Sequence, residues 1–343
     1  MNQALTAFVT ISDTKVAKNR IHFETLPLSL YPQFWLMGEH MKYNRYFSNL
    51  AARFRHGAAN DIGIRLFHLN HLLTLPRQRN EAVIRELCTN AYLGGRRSLC
   101  RVLGRYKMIV DTTDVGLSSH LLLDGYWEMW LTELLTALVK PGMKVIDVGA
   151  NLGYFSLLMA DLVGKTGQVH AFEPNIDLAR RMAQSLALNG FSDVSTVYEQ
   201  ALADVEADVV LIVPADEPKN GHLLPADHPA TTDDAVEARF MRTRRLDSYA
   251  ELYDVDLIKI DADTSEMTIW QGMSEILKHG RPLTIVLEFA RVRYADPGAF
   301  IDRILSDGFS LSVITLDEGV QPIDREAILA APPTEDVMLV LVR

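Results

Sequence analysis

Short runs of β-branched and aliphatic residues alternate with amphipathic stretches from Lys144 to the end of the chain. Four of these runs have the length and composition of buried strands: 145–148, 169–172, 257–260 and 284–289. Two further runs, 311–314 and 337–342, are joined by a polar link with prolines, which suits an antiparallel return. We therefore predict an α/β fold with a doubly wound, mostly parallel sheet covered by helices on both faces.

The N-terminal part of the chain has a different pattern. Two of its segments carry apolar residues at helical spacing: 43–54 and 62–73. We predict a mainly helical accessory region over 1–95, followed by the α/β domain over 96–343, with the boundary at Gly94 and Gly95. Apolar and aromatic helices of this kind also suit the pairing of two chains, so a homodimer is a further expectation.

The segment 214–235 interrupts the alternation of strands and helices. It contains four prolines, five acidic residues and the polar triplet Asn220, Gly221 and His222. This composition excludes a buried core element, and long irregular loops in compact domains are usually lids or binding loops. We predict a loop on the substrate side of the domain, with a plain surface excursion as the alternative.

The net charge of −10 conceals an asymmetry between the two ends of the chain. Residues 1–100 hold 13 basic against 6 acidic side chains, whereas the remainder is strongly acidic. Such asymmetry indicates either parts with different partners or complementary faces that pack on one another. The overall acidity argues against a nucleic-acid backbone as partner.

The cysteine content and the hydropathy of the chain indicate its cellular compartment. Cys88 and Cys100 lack the C-x-x-C spacing of zinc and redox sites, so we expect two buried thiols. No apolar run approaches the roughly 20 residues that cross a bilayer, and the first ten residues do not resemble a secretory signal. We expect a cytoplasmic protein without membrane association.

The most informative motif lies at the end of the first predicted strand. Asp147 ends that strand, and Gly149 and Gly153 follow in the turn that opens a helix. Gly149 allows backbone angles closed to other residues, and Gly153 allows close approach to the helix start. Ligands of open α/β sheets bind at such strand ends. Because the spacing is not the G-x-G-x-x-G of dinucleotide enzymes, a phosphate cradle is disfavoured.

A second acid follows at the end of the next predicted strand. Glu173 lies twenty residues after Gly153, where a carboxylate can accept both hydrogen bonds of a ribose diol. With Asp147 it places two acids around a glycine turn. Their combined charge suits an adenosyl ligand that is positively charged rather than anionic.

Several segments resemble the FkbM family of methyltransferases. They are IDVGANLGYFS at 146–156, AFEPN at 171–175, LNG at 188–190 and LIKID at 257–261. The resemblance begins near Leu99 and does not cover the first 95 residues or so. It implies the seven-stranded class I methyltransferase fold, S-adenosylmethionine as cofactor, and most often O-methylation of a hydroxyl on a sugar or secondary metabolite.

The resemblance also assigns roles to single residues. Glu173 would hold the ribose. The methionine part would be lined by Asp147, Gly149, Asn151 and Gly153, and the adenine would lie beside Gln200 and Ala201.

The chain departs from the family pattern after the fourth predicted strand. The family reads close to I-D-V-E-G-x-E, whereas residues 260–266 read IDADTSE, so Thr264 stands where the family has glycine. Threonine does not adopt positive φ angles cheaply. We therefore expect the backbone of this loop to differ.

Two residues are candidates for handling the acceptor's proton. Asp261 follows a buried strand next to the expected methyl group, where it could orient or deprotonate the acceptor, although it could equally cap the following helix. His222 could act as a base if its loop folds over the site. Glu288 fits either a substrate contact or an ion pair. No His and acid cluster has metal-ligand spacing, so no metal is predicted.

Three other functions compete with a small-molecule methyltransferase. A nucleic-acid methyltransferase would fit the basic N-terminal region, but the Pro-Pro-aromatic motif of enzymes that methylate base nitrogens is absent after the fourth strand. A nicotinamide oxidoreductase is disfavoured by the glycine spacing. A non-catalytic adenosyl-ligand-binding protein is kept open by the altered loop at Thr264.

Overall fold

The structure, a computed structural model, describes residues 66–214, 217–227, 236–316, 319–332 and 334–343. The helical pattern predicted at 43–54 and the start of that at 62–73 lie outside these residues, as does most of the surface proposed for a homodimer. Within the described residues, no helix has the length and apolar character needed to span a bilayer.

The described residues form α-helices, strands and short 3₁₀ helices. The α-helices are α1 (His71–Thr74), α2 (Arg77–Leu87), α3 (Leu117–Leu123), α4 (Met129–Leu138), α5 (Tyr154–Val163), α6 (Ile176–Leu188), α7 (Glu266–Gly272), α8 (Ser274–Lys278), α9 (Pro297–Ser306) and α10 (Arg325–Ala330). The strands are β1 (Asn90–Gly94), β2 (Arg97–Val102), β3 (Tyr106–Asp111), β4 (Lys144–Val148), β5 (Gln168–Phe172), β6 (Ser195–Tyr198), β7 (Ala201–Leu202), β8 (Asp208–Pro214), β9 (His222–Pro225), β10 (Val236–Arg244), β11 (Leu257–Ile260), β12 (Thr284–Phe289), β13 (Ser310–Thr315), β14 (Gly319–Pro322) and β15 (Val337–Val342). Short 3₁₀ helices occur at Gly164–Thr166, Pro218–Asn220, Leu246–Ser248, Ala250–Leu252 and Arg291–Arg293.

The main sheet has the strand order β14-β13-β15-β12-β11-β4-β5-β6. The pairs from β12 to β6 are parallel, and β15 returns antiparallel between β12 and β13. The predicted mostly parallel α/β sheet with an antiparallel final pair is confirmed. The predicted number of seven strands is one too few, because β14 adds an eighth strand as a hairpin on β13.

Helices cover both faces of this sheet. Val145 and Leu257 belong to the hydrophobic cluster that packs under α4, α5 and α6. Their strand neighbours Ile146 and Ile258 belong to a second cluster under α7, α8, α9 and α10. Consecutive strand residues point to opposite faces, so a strand buried on both sides reads as an unbroken apolar run.

Two smaller sheets accompany the main one. The three-stranded antiparallel sheet β1-β2-β3 is tied to α6, since the Ile109 amide donates to Ser185 Oγ at 3.0 Å. At the predicted boundary, Gly94 ends β1 and Gly95 begins the turn to β2. The four-stranded sheet β7-β10-β8-β9 is inserted before β11. It includes β9, so the predicted loop 214–235 contains a strand in its described part.

Candidate functional site

A cavity of about 290 Å³ opens where the parallel strands β4, β5, β11 and β12 end. Its wall includes the predicted residues Gly149, Asn151, Glu173, Gln200, Ala201, His222 and Asp261. The tips of parallel strands meet at one sheet edge, where the loops diverge. The structure thus brings together two of the predicted catalytic residues and five of the seven predicted cofactor residues.

Gly149 has a packing constraint as well as a special backbone angle. Its φ is +70°, and an added Cβ would lie 1.7 Å from the carbonyl oxygen of Asp261. The amide of Asp261 in turn donates to Val148 O at 3.2 Å. The loops after β4 and β11 therefore touch backbone to backbone, which only glycine permits.

Glu173 is buried at the end of β5 and is held by two backbone amides. Its Oε2 accepts from the amide of Asn151, which has a left-handed φ of +54°, and its Oε1 accepts from the amide of Asn175, both at 2.8 Å. Burial raises the pKa of Glu173 to about 7, although these amides lower it. The carboxyl group is fixed in the cavity wall and titrates near neutral pH.

Asp147 lies beneath the cavity rather than in its wall. It is fully buried, accepts a 2.6 Å hydrogen bond from Ser156 Oγ, and lies 3.5 Å from the Nζ of Lys259. Burial raises the pKa of Asp147, and the charge of Lys259 partly offsets that effect. The negative charge predicted to attract a cationic ligand is thus paired inside the protein.

Lys259 is a site residue that the sequence analysis did not select. It is almost fully buried on β11, lines the cavity, and lies 3.2 Å from Asp261 Oδ2 and 5.3 Å from the ring centre of Phe155. Burial lowers the pKa of this lysine, but the charges of Asp261 and Asp147 outweigh it and raise the pKa overall. The sequence did contain a signal for this residue, namely a single charged side chain within an otherwise apolar strand. A buried lysine needs acids beside it.

Gly153 also lies outside the cavity wall. Its φ is +84°, and an added Cβ would lie 2.4 Å from Cγ of Met182 on α6. The glycine therefore allows α5 and α6 to pack closely, and its predicted contact with a ligand stays a prediction.

The inserted sheet and the turn after β6 form part of the cavity wall. Gln200 Nε2 donates to the carbonyl oxygen of Ala201 at 3.0 Å, and Phe172 stacks on Tyr198 with ring centres 4.4 Å apart. His222 begins β9 and faces the same cavity. The predicted position of segment 214–235 beside the site agrees with its described part.

The cavity wall is rich in carboxyl groups. Glu128, Glu173, Asp261, Asp263, Glu288 and Asp336 line the cavity, against the basic side chains of Lys259 and Arg293. Arg293 pairs with Glu288 and lies 3.1 Å from Asp336 and 3.7 Å from Glu266. An excess of acids favours a cationic or neutral ligand over a phosphate. Among the described residues, no cluster of His, Cys, Asp and Glu side chains is arranged to hold a metal ion.

The loop after β11 keeps a glycine-type backbone despite its threonine. Asp263 and Thr264 have φ angles of +37° and +77°. The expectation that threonine would move the backbone out of this region is therefore wrong at Thr264. Glu266 Oε1 accepts from the Ala262 amide at 3.1 Å and holds the loop. Positive φ at a β-branched residue costs about 1–3 kcal/mol, so the loop is strained beside the cavity.

Comparison with known protein families matches residues 147–311 to the model described as the methyltransferase FkbM domain. The AMB antimetabolite synthetase AmbE of Pseudomonas aeruginosa is 29% identical over 248 residues, which are 61% of this chain and 11% of the synthetase. The protein-L-isoaspartate O-methyltransferase of Aeropyrum pernix is 43% identical over 58 residues, 17% of this chain and 22% of that enzyme. The chain therefore spans only a small part of the length of these curated relatives.

Solved structures give weaker similarities. An O-methyltransferase from Bacillus cereus has a TM-score of 0.36 at 14% identity, covering 86% of this chain and 97% of that one. An S-adenosylmethionine-dependent O-methyltransferase from Thermotoga maritima also has a TM-score of 0.36, at 12% identity, covering 73% of this chain and 93% of that one.

Proposed function

Since residues 147–311 form a methyltransferase FkbM domain, whose family uses S-adenosylmethionine, we propose that this protein methylates a hydroxyl group of a small molecule. One observation carries the proposal. The strand-end cavity contains a buried carboxyl group, Glu173, fixed by two backbone amides. A rigid acceptor of hydrogen bonds at this position suits a ribose diol.

The charges of the cavity residues suit the cofactor. In this proposal Glu173 holds the ribose hydroxyls, Gln200 and Ala201 lie beside the adenine, and Gly149 and Asn151 border the methionine part. Acids outnumber bases in the wall, which suits a ligand bearing a sulfonium and an ammonium group. The Lys259 charge does not oppose this binding because Asp147 and Asp261 compensate it.

When bound, the cofactor supplies an electrophilic methyl group for in-line displacement. The protein then has to align the acceptor and remove its hydroxyl proton. Asp261 orients the hydroxyl, since Lys259 fixes its carboxylate from below at 3.2 Å. His222, which lines the same cavity, is the second candidate for contact with the acceptor.

A small hydroxylated metabolite is the acceptor class that we favour. One relative is an antimetabolite synthetase, which supports a role in secondary metabolism, and others are O-methyltransferases. The acidic wall opposes a nucleic-acid acceptor.

Ligand binding tests the first half of the proposal. We expect S-adenosylmethionine and S-adenosylhomocysteine to raise the Tm, whereas NAD leaves it unchanged. At a ligand concentration 100 times Kd, binding raises the free energy of unfolding by about 2.7 kcal/mol. Glu173→Ala should abolish the shift. Glu199→Ala is the control, because Glu199 follows β6 as an exposed acid paired with Arg180. This variant should keep the Tm shift.

Methyl transfer tests the second half. The protein is incubated with S-adenosylmethionine and a panel of hydroxylated sugars, amino acids and polyketides, and products are identified by mass spectrometry. A methylated product that is lost in Asp261→Asn supports the proposal. Tight cofactor binding without transfer to any acceptor would instead favour a non-catalytic binding protein.

A further inference from the structure

Glu288 is an acid of the cavity that the proposed mechanism does not use. It lies near the carboxyl end of β12, next to the end of β11, since Leu287 pairs with Ile260 in parallel register. Its side chain is only 17% exposed and lines the same cavity as Asp261. The two carboxyl groups therefore face one ligand space from adjacent strands.

Charged groups surround Glu288 on three sides. Arg293 donates to its Oε2 from the 3₁₀ helix after β12. Asp261 faces it from the end of β11, and Asp336 from the segment before β15. Arg293 is shared with Asp336 and Glu266, so its positive charge is divided among several acids. Lys259 pairs with Asp261 and Asp147, so Arg293 is the cation left for Glu288, Asp336 and Glu266.

This environment favours the protonated form of Glu288. Burial and the charges of Asp261 and Asp336 raise the pKa of Glu288, Arg293 lowers it, and the result is about 8. Such a carboxyl group is about nine-tenths protonated at pH 7. A positive charge entering the cavity would shift this balance towards the carboxylate.

We propose that Glu288 is a further catalytic residue, which loses its proton to solvent when the cationic cofactor binds and then takes the proton of the acceptor hydroxyl. The inference rests on the proposed methyltransferase function. In the reaction the acceptor O–H bond breaks and its proton goes to a Glu288 carboxylate oxygen. The acceptor oxygen forms the new bond to the methyl carbon, and the electron pair of the broken carbon–sulfur bond stays on sulfur. The positive charge on sulfur disappears in the same step in which the Glu288 carboxylate becomes neutral, so the net charge of the cavity does not change.

Proton release on binding tests the proposal without knowledge of the acceptor. Binding of S-adenosylmethionine and of S-adenosylhomocysteine is measured by calorimetry at pH 7 in phosphate and in Tris, whose ionisation enthalpies differ. Wild-type protein should release more protons with S-adenosylmethionine than Glu288→Gln does, by about half a proton or more. With S-adenosylhomocysteine, whose sulfur is uncharged, the two proteins should release nearly the same number of protons. The number of protons released with each ligand is compared between wild type and Glu288→Gln. The contribution of the ligand's own amino group is the same for both proteins and cancels.

A control variant sharpens the comparison. Glu335→Gln removes an exposed acid near the same end of the sheet and should behave as wild type with both ligands.

The outcomes separate the two levels of inference. If neither ligand binds wild-type protein, the proposed function fails. If both bind and Glu288→Gln releases as many protons as wild type, only the role of Glu288 is overturned. Should Glu288→Gln not fold, infrared difference spectra of wild-type protein decide the question. The carboxylic-acid carbonyl band should weaken with S-adenosylmethionine relative to S-adenosylhomocysteine, and an unchanged band overturns the proposal.

Discussion

Gly149 and Asp261 are in contact through their backbones, because a Cβ on Gly149 would lie 1.7 Å from the carbonyl oxygen of Asp261. Gly149 follows β4, and Asp261 follows the neighbouring strand β11. The contact sets the distance between the loop predicted to border the cofactor and the loop that bears the predicted catalytic acid. A change at Gly149 therefore acts on both.

We predict that Gly149→Ala destabilises the protein by about 2–4 kcal/mol, from positive-φ strain together with overpacking. Equilibrium unfolding in urea measures the loss, and calorimetry should detect no cofactor binding. Gly94→Ala is the matched control, since Gly94 has a φ of +81° but no atom within 4 Å of the added methyl. Equal losses for the two variants would show that the contact with Asp261 is unimportant.

Glu173 should make stability depend on pH. Its pKa is raised from 4.5 to about 7, so the folded state binds more protons than the unfolded state between these values. Its contribution is fully present below pH 4.5 and is lost as pH rises through 7, by up to about 3 kcal/mol. Glu173→Gln should flatten this decline in urea unfolding measured from pH 5 to pH 8. The same slope in both proteins would contradict the pKa shift.

The sequence predicts the buried part of the main sheet better than its edges. β12 and β15 were recognised with their full bounds because strands buried on both faces read as unbroken apolar runs. β6 and β14, at the two edges of the sheet, are only partly buried and lack that pattern. Edge strands depend on tertiary pairing, which local hydropathy does not encode.

The candidate site divides in a similar way. Gly149 and Glu173 were found because strand-end glycines and acids have a local motif. The partners of Lys259 and Arg293 come from distant segments, as Asp147 and Asp336 illustrate. Such pairings follow from strand order rather than from spacing along the chain, so the sequence could indicate the buried charge but not its partners.

Loss of the Lys259 charge should be costly. Lys259→Met leaves Asp147 buried without a cation, and breaking a buried ion pair from one side costs about 3–5 kcal/mol. The double variant Asp147→Asn with Lys259→Met should recover part of this stability in urea unfolding. Lys278→Met is the control, because this lysine is exposed and its pair with Glu275 lies in solvent, where such pairs contribute little. A loss no larger than that of the control would contradict the ion-pair assignment.

Thr264→Gly should stabilise the protein. The φ of +77° at an exposed β-branched residue carries strain of about 1–3 kcal/mol, whereas the extra freedom of glycine in the unfolded chain costs about 1 kcal/mol. We expect a net gain of about 1 kcal/mol in urea unfolding, with an increase in Tm. Thr268→Gly, in the helix that follows, should instead lose about 1 kcal/mol because its backbone is already helical. If both variants lose stability equally, the backbone of the loop after β11 is not strained at Thr264.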